Sequence, residues 1–466
     1  NSTMTEQLKL KLNDSKATRW GALVIVAFTM MAAYYVNDVV APLKTMLETD
    51  LAWSSTDFGF FTGGYSFLNV FFLMLIWGGL ILDRFGIRFT GKLATILMVG
   101  GTALEYYAMT GLAGADATLF GINEIFGYKT GVFVAFAGYS IFGVGAEVAG
   151  ITVSKIIAKW FKGKELATAM GVQVALARIG SQAGYAVAIP LARAFGISTP
   201  VLLGLVLLLG GMIAFFVFAV MDKKLDKQME AAAIAAGTED EEEKFSFKDV
   251  KNILVNPGFW LIALLCVLFY SCVFPFQKFA SELMIIKYGI NENVAGTFAG
   301  LPALGALILT PVFGGFIDKR GKSASIMLLG SAMLICVHFI YAIPDINYWL
   351  VAIVLMIILG IAFSLVPSAM WPAVAKIFPV SQLGTAYALI FFIQNIGLWG
   401  IPTLIGWVLD AYCISGKKPD GTNMYDYTVP MCIFTGIACL SLIVALLLKK
   451  ADKKYGYKLE EPNIQK

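Results

Sequence analysis

Residues 78–88 read GGLILDRFGIR, and this polar stretch stands between two apolar runs. A shorter copy, GGFIDKRGK at residues 314–322, also stands between two apolar runs. In both copies an aspartate follows a glycine by four residues, Asp83 in the first and Asp318 in the second. A loop that recurs at equivalent points of two strings of apolar runs predicts a chain built from two similar halves.

The composition indicates a protein that crosses a membrane many times. Of the 466 residues 58% are hydrophobic and 14% are charged, whereas soluble domains carry roughly 25% charged residues. Runs of about 20 apolar residues are long enough to span a bilayer as helices. We predict an all-α membrane protein with twelve transmembrane helices in two six-helix halves. The predicted spans are 20–43, 56–81, 93–111, 132–156, 166–190, 200–221, 257–280, 293–317, 324–343, 348–372, 383–409 and 428–449.

The predicted organisation follows from a charged stretch between the sixth and seventh runs, which contains EAAAIAAGTEDEEEK. Such a stretch is typical of a flexible or partly helical linker. We therefore expect an amino-terminal bundle (1–221), a cytoplasmic linker (222–256), a carboxy-terminal bundle (257–450) and a cytoplasmic tail (451–466). We also expect translation to start at Met4 and no cleavable signal peptide to follow.

Lysine and arginine are concentrated on alternate loops. They precede the first run and follow the second, fourth, sixth, eighth and twelfth runs, whereas the other loops carry only scattered bases. The excess of basic residues on cytoplasmic loops predicts that both termini lie in the cytoplasm.

A second internal similarity relates residues 159–181 to residues 376–398. In this alignment Arg178 corresponds to Asn395, and the same offset relates Glu147 to Ser364. Each charge of the first half therefore corresponds to a neutral polar residue in the second half. A structural role common to both halves would not require the charge.

Glu147 and Arg178 are the main candidates for function, because an ionised group at mid-membrane depth costs about 3 kcal/mol. Helix rise places Glu147 about 12 Å and Arg178 about 18 Å from the cytoplasmic ends of their helices, near the middle of a ~30 Å core. One interpretation is a structural salt bridge between helices 4 and 5. In the other, each side chain faces a cavity and holds one end of a zwitterion, the arginine gripping a carboxylate with two hydrogen bonds.

Other polar or aromatic residues of the spans are further candidates for substrate binding, although helix packing explains each of them equally well. Depth favours Tyr65 and Asn395 among them. The full set is Tyr35, Asp38, Tyr65, Asn69, Trp371, Gln394 and Asn395.

The loop pattern G-x-x-x-D-R-x-G-x-R, the linker and the weaker second copy resemble the major facilitator superfamily, over the whole chain. The resemblance implies two bundles that rock about one central site, with Asp83 capping a charge cluster that joins the halves when the outside is open. Arg84 and Arg88 could equally be positive-inside anchors. The predicted cytoplasmic gate comprises Gly79, Asp83, Arg84, Arg88 and Asp318.

Several segments resemble one branch of that superfamily, the lysosomal dipeptide uniporters of animals and their prokaryotic relatives. The most specific are ARIGS at 177–181 and QNIG at 394–397. In that family the helix 4 acid and the helix 5 arginine bind the dipeptide amine and carboxylate, which implies these roles for Glu147 and Arg178. Residues 4–16 carry no acidic dileucine-type sorting signal, so we expect a prokaryotic plasma membrane.

The leading interpretation is a transporter of dipeptides or similar small zwitterions. The alternative is a proton-coupled carrier of organic anions, in which Arg178 holds a carboxylate and Glu147 carries a proton. A receptor or scaffold is disfavoured, because the sequence contains no sizeable soluble domain that could transmit a signal. We expect no metal site, since five of the six cysteines fall inside apolar runs. We expect no enzyme activity and no cofactor, since the sequence shows no nucleophile–histidine arrangement and no phosphate-binding loop. We expect no nucleic-acid partner, since the basic residues are spread over the helix ends. The sequence does not indicate an accessory subunit.

The topology can be tested with a cysteine placed in the linker. In intact cells, Lys248→Cys should resist a membrane-impermeant maleimide added outside, whereas Asp116→Cys, in the loop before the fourth run, should react. Labelling of Lys248→Cys from outside would contradict the predicted orientation.

Overall fold

The computed structural model describes residues 11–161, 164–236 and 246–464. Within these ranges the chain is mostly helical, with two short antiparallel hairpins, β1–β2 and β3–β4. In the first half the elements are α1 Lys16–Val39, α2 Lys44–Leu51, α3 Ser55–Phe71, α4 Met74–Thr110, β1 Glu124–Ile125, β2 Tyr128–Lys129, α5 Thr130–Trp160, α6 Leu166–Phe195 and α7 Thr199–Ala236. They continue with α8 Phe247–Leu254, α9 Pro257–Ser271, α10 Phe274–Tyr288, α11 Glu292–Ala299, α12 Leu301–Arg320, α13 Ser323–Ala342, α14 Trp349–Ile377, α15 Val380–Tyr412, β3 Ile414–Lys417, β4 Asn423–Tyr425 and α16 Thr428–Tyr455.

The predicted spans coincide in position with these helices, but they do not all qualify as membrane helices by length and apolarity. In the described part of the chain nine helical stretches qualify, or ten when α3 and α4, which meet at a bend of 58°, count as one broken span. Helix α6 is not among them, because polar residues such as Gln173 and Arg178 lower its hydropathy. The number of twelve spans therefore remains a prediction.

The boundaries of the predicted domains differ from the helix ends. Helix α7 continues to Ala236, well beyond residue 221, and α8 lies within the predicted linker. Helix α16 continues to Tyr455, beyond residue 450. Residues 237–245, the acidic centre of the linker, lie outside the described residues.

The signature stretch lies inside α4, where it kinks the helix. Gly86 has a φ of 83° and a ψ of 178° within the otherwise helical segment. A residue without a Cβ adopts such a positive φ at little cost, which explains a glycine at this position.

The two halves meet mainly where α3 packs against α15 and where α6 packs against α11 and α12. Small residues allow the first of these contacts to be close. A Cβ added to Gly59 would lie 2.4 Å from the carbonyl oxygen of Pro402 and 2.9 Å from the Cα of Gly406. Such glycine pairs let helices approach each other inside a membrane.

The helix ends define two faces of the bundle. Arg19 near the start of α1 pairs with Glu165 before α6, and Tyr457 after α16 donates to Asn256 before α9. We call this end the terminal face. The other end, which carries the loop between α1 and α3, is the opposite face.

At the opposite face a fully buried ion pair connects the halves. The Nζ atom of Lys44 lies 2.8 Å from Glu282 on α10, and their side chains are 1% and 0% exposed. Lys44 also pairs with Glu48. Ser55 and Tyr427 complete this cluster: Lys44 donates to the Ser55 hydroxyl at 2.7 Å, and Tyr427 donates to Glu282 at 2.7 Å.

A second polar link joins the halves at the same face. Asp410, near the end of α15, accepts hydrogen bonds from the backbone N–H and the hydroxyl of Thr56, both at 2.6 Å. The first turn of α3 leaves backbone N–H groups without helical partners, so this carboxylate caps a helix of the other half. These interactions hold the opposite face closed.

We predict an asymmetric loss of stability when this cluster is mutated. Lys44→Met leaves two buried carboxylates without a counter-charge and should lower the free energy of unfolding by about 3–5 kcal/mol. Glu282→Gln leaves the Lys44–Glu48 pair intact and should cost about 1–3 kcal/mol for the weakened hydrogen bonding. Melting of the purified protein in detergent measures both.

The matched control is Arg193→Met. Arg193 pairs with Glu292 across the halves at the same face, but the two side chains are 48% and 35% exposed. An exposed pair contributes about 0–1 kcal/mol. If Lys44→Met and Arg193→Met lowered the free energy of unfolding equally, burial of the Lys44 cluster would not contribute to stability, and the prediction would be wrong.

Candidate functional site

A cavity of about 750 Å³ lies between the two halves. Residues of α1, α3, α4, α5 and α6 line it from the first half, and residues of α9, α10, α14 and α15 from the second. One end is formed by Asp38 and Lys278, next to the closed opposite face. At the other end the lining reaches Ser154, which is exposed near the terminal-face end of α5. The cavity is thus directed toward the terminal face.

Glu147 faces this cavity from α5 and is half-buried. Its carboxylate accepts one hydrogen bond, from the hydroxyl of Tyr65 on α3, at 3.1 Å. Gly143, one helical turn before Glu147, makes this contact possible. A Cβ at Gly143 would lie 2.0 Å from the carbonyl oxygen of Tyr65, so only glycine lets α5 come this close to α3.

Arg178 faces the same cavity from α6 and is also half-buried. The carbon of its guanidinium lies 4.9 Å from the ring centroid of Phe363 and 5.9 Å from that of Tyr34. It forms no hydrogen bond or ion pair with any residue that the structure describes. Stacking on aromatic rings holds a guanidinium in place while leaving its N–H donors free.

The acid and the base therefore share a cavity without neutralising each other. Glu147 and Arg178 do not form an ion pair in this structure, so the structural salt bridge considered from the sequence is not formed in this state. Each presents its polar atoms to the cavity. A charge at this depth is tolerated where it borders water or a ligand.

Four more of the predicted binding residues line the cavity, among them Tyr65, which faces it from α3 beside Glu147. Trp371 and Gln394 face it from the second half, and Asp38 faces it from the first. Asp38 accepts a hydrogen bond from Ser181 and lies 3.7 Å from the ammonium of Lys278. Lys278 also donates to the carbonyl of Asn37 at 2.8 Å. This second acid and base thus do pair, across the halves.

The remaining predicted binding residues lie outside the cavity lining. Tyr35 is buried and donates to the carbonyl of Pro200 at 2.9 Å, so that its neighbour Tyr34 lines the cavity instead. Asn395 is buried and donates to Phe391 on its own helix at 2.8 Å. Asn69 is buried, and its side-chain amide has no hydrogen-bond partner among the described residues. Successive residues of a helix point about 100° apart. Tyr35 and Asn395 therefore point away from the cavity that their neighbours Tyr34 and Gln394 line.

Several lining residues did not stand out in the sequence. Helix α15 presents Tyr387, Phe391, Leu398 and Pro402 to the cavity, on the same face as the predicted Gln394. Their spacing of three or four residues is the signal of one helix face. That signal indicates a shared face but does not say whether the face meets a cavity, the core or lipid.

The predicted gate residues lie at the terminal face, and the contacts that they make with described residues stay within each half. Arg88 pairs with Asp222 at 2.8 Å and with Asp226, both on α7. Asp83 lies 3.9 Å from Lys155. Arg84 stacks over the adjacent Phe85, and no atom would contact a Cβ at Gly79.

In the second half, the carboxy-terminal tail contacts the predicted gate residue Asp318. Asp318 accepts a hydrogen bond from the side chain of Asn463 at 2.9 Å, and its carbonyl accepts one from the N–H of Ile464 at 3.0 Å. The signature loop of this half is therefore bound by the tail of the same chain.

Two helical halves around one central cavity, closed at one face, define a membrane transporter that works by alternating access. The chain belongs to the major facilitator superfamily, whose sequence profile matches residues 23–402 and 279–461. This membership confirms the predicted fold class. Proteins of this family are transporters rather than enzymes.

The chain is similar over most of its length to lysosomal dipeptide transporters named MFSD1. The Homo sapiens protein is 29% identical over 454 residues, which cover 94% of this chain and 88% of the relative. The Gallus gallus protein is 33% identical over 287 residues, which cover 59% of this chain and 62% of the relative.

Solved structures of transporters share the fold. The nucleoside transporter NupG superposes with a TM-score of 0.67 at 11% identity, covering 92% of this chain and 99% of NupG. A D-xylose-proton symporter superposes with a TM-score of 0.66 at 14% identity, covering 95% of this chain and 98% of the symporter. At such identity the likeness concerns the fold alone.

Proposed function

We propose that this transporter moves dipeptides or similar small zwitterions. The observation that carries the proposal is that Glu147 and Arg178 face one cavity without an ionic partner among the described residues. The Glu147 carboxylate accepts only the hydrogen bond of Tyr65, and the N–H donors of Arg178 are unused. The dipeptide transport named for the similar proteins supports the same substrate class.

In the proposed complex Arg178 grips the carboxylate and Glu147 the ammonium of the ligand. The planar guanidinium offers two parallel N–H donors to a carboxylate, and stacking on Phe363 fixes its plane. Tyr65 holds the Glu147 carboxylate in position through its hydrogen bond. The ligand replaces the water that solvates the two charges, so that each charge retains a partner inside the bilayer.

Transport then requires the cavity to change the face to which it opens. In this structure the Lys44–Glu282 pair and the Asp410 cap hold the opposite face closed. Alternating access breaks these interactions and brings the halves together at the terminal face. We propose that Asp83 takes part in that closure, since it lies at the terminal face and outside the cavity.

We further propose that both termini face the cytoplasm and that the membrane is the plasma membrane of a prokaryote. The basic loops gathered at the terminal face support this orientation. The similar proteins are named lysosomal, so the location of this chain is a separate proposal from its substrate.

The proposed binding of the ligand by Glu147 and Arg178 is tested with two mutants, each matched to one end of the ligand. Glu147→Gln should weaken binding of a free dipeptide at least about tenfold, yet change binding of its N-acetylated form little, because that form carries no amine charge. Arg178→Lys should weaken binding of the free dipeptide but not of its C-amidated form. Lysine keeps the positive charge but lacks the two parallel N–H donors that bind a carboxylate. Calorimetric titration of the purified protein measures both.

The melting temperatures of the two mutants serve as the control for these binding measurements. If the two residues had only a structural role, each mutant would lose affinity equally for all three ligands, in parallel with its melting temperature. A carrier of organic anions would bind the N-acetylated form as well as, or better than, the free dipeptide.

A separate prediction concerns the gate. Asp83→Asn should slow uptake into proteoliposomes several-fold and leave the equilibrium affinity within about threefold, because Asp83 lies outside the cavity. Asp116→Asn, an exposed carboxylate in the loop before β1, is the matched control and should behave as the wild type. A large loss of affinity in a folded Asp83→Asn protein would contradict the gate role.

A further inference from the structure

The two halves contribute different chemistry to the cavity. The first half provides Glu147, Arg178 and Asp38, whereas most of the lining from the second half is aromatic or aliphatic. The charged exception in the second half is Lys278, and its ammonium is directed at Asn37, Asp38 and Tyr139 of the first half. The second half therefore offers the ligand mainly an apolar surface.

Five rings of this surface form one packed unit, which we call the aromatic wall: Tyr270, Phe274, Trp371, Tyr387 and Phe391. Tyr270 stacks on Phe274 at a centroid distance of 5.4 Å. Trp371 stacks on Phe391 at 5.0 Å and on Tyr270 at 6.3 Å. Trp371 lies 5.9 Å from Tyr387. Mutual packing of this kind fixes the rings before any ligand arrives.

Most polar atoms of the wall form hydrogen bonds within the wall itself. The indole N–H of Trp371 donates to the hydroxyl of Tyr270 at 3.1 Å. The hydroxyl of Tyr387 donates to the backbone carbonyl of Trp371 at 2.8 Å. The O–H of Tyr270 is left without an acceptor among the described residues. The wall thus presents mainly ring surface to the cavity, which suits an apolar or aromatic group.

Phe363 connects the wall to the guanidinium that is proposed to bind the carboxylate. Its ring lies 4.9 Å from the guanidinium carbon of Arg178, 5.4 Å from the ring of Phe274 and 6.3 Å from that of Tyr270. A ligand whose carboxylate is held by Arg178 therefore has the side chain nearest that carboxylate beside the wall.

From this geometry we infer that the aromatic wall is the subsite for the side chain of the carboxy-terminal residue, and that it selects large apolar or aromatic side chains. The inference rests on the proposed function, because it uses the carboxylate held by Arg178 to orient the ligand. The first half then recognises what all dipeptides share, and the second half discriminates between them.

Calorimetric titration of the purified full-length protein with Gly-Gly, Gly-Phe, Phe-Gly and Gly-Asp tests the inference. Gly-Phe should bind at least about tenfold tighter than Gly-Gly, because its ring becomes buried against other rings. The gain should be smaller for Phe-Gly, whose side chain lies at the amine end. Gly-Asp should not bind tighter than Gly-Gly, since the wall contains no cationic side chain to neutralise a second carboxylate.

Phe391→Ala and the milder Trp371→Phe should bring the Gly-Phe to Gly-Gly affinity ratio toward one. Trp407→Ala is the matched control, because Trp407 lies on the same helix α15 but on its exposed surface, and should leave the ratio unchanged. A wild-type ratio near one would overturn the inference, as would a ratio that neither wall variant changes. If no dipeptide binds at all, the proposed function itself fails, and the subsite with it.

Discussion

A charge within a bilayer must have a partner or border water, and this constraint organises the contact between the two halves of the protein. Charged side chains between the two halves fall into two groups. Lys44 with Glu282, and Lys278 with Asp38, are paired across the halves. Glu147 and Arg178 are unpaired, and both border the cavity. The paired charges connect the halves, and the unpaired ones are left for a ligand.

The location of the paired charges explains why the cavity has one closed end. Lys44, Glu282, Thr56 and Asp410 all lie at the opposite face, where small residues also let α3 approach α15 closely. A buried ion pair is stable only while both partners remain together and water is excluded. Opening this face must therefore separate charges that now neutralise each other. In the proposed transport cycle, interactions between the halves at the terminal face offset that cost.

The two halves share a fold, but they differ in what they present at the centre of the molecule. Where the first half carries Glu147 and Arg178, the second carries Ser364 and Asn395 at the aligned positions. Ser364 bonds to the carbonyl of its own helix at Gly360, and Asn395 likewise bonds within α15. The second half instead lines the cavity with rings. Duplication thus accounts for the architecture, and divergence of the inward-facing residues accounts for the chemistry of the site.

The sequence by itself determined the fold class, because long apolar runs and a repeated loop reflect a local requirement: each helix must satisfy its own backbone hydrogen bonds in lipid. It also singled out Glu147 and Arg178, since a charge in an apolar run is conspicuous in any arrangement. Only the tertiary structure decided which neighbour of a pair faces the cavity, Tyr34 rather than Tyr35 and Gln394 rather than Asn395. Those choices depend on how each helix is rotated against helices distant in sequence, as do the pairing of Lys44 with Glu282 and the assembly of the aromatic wall.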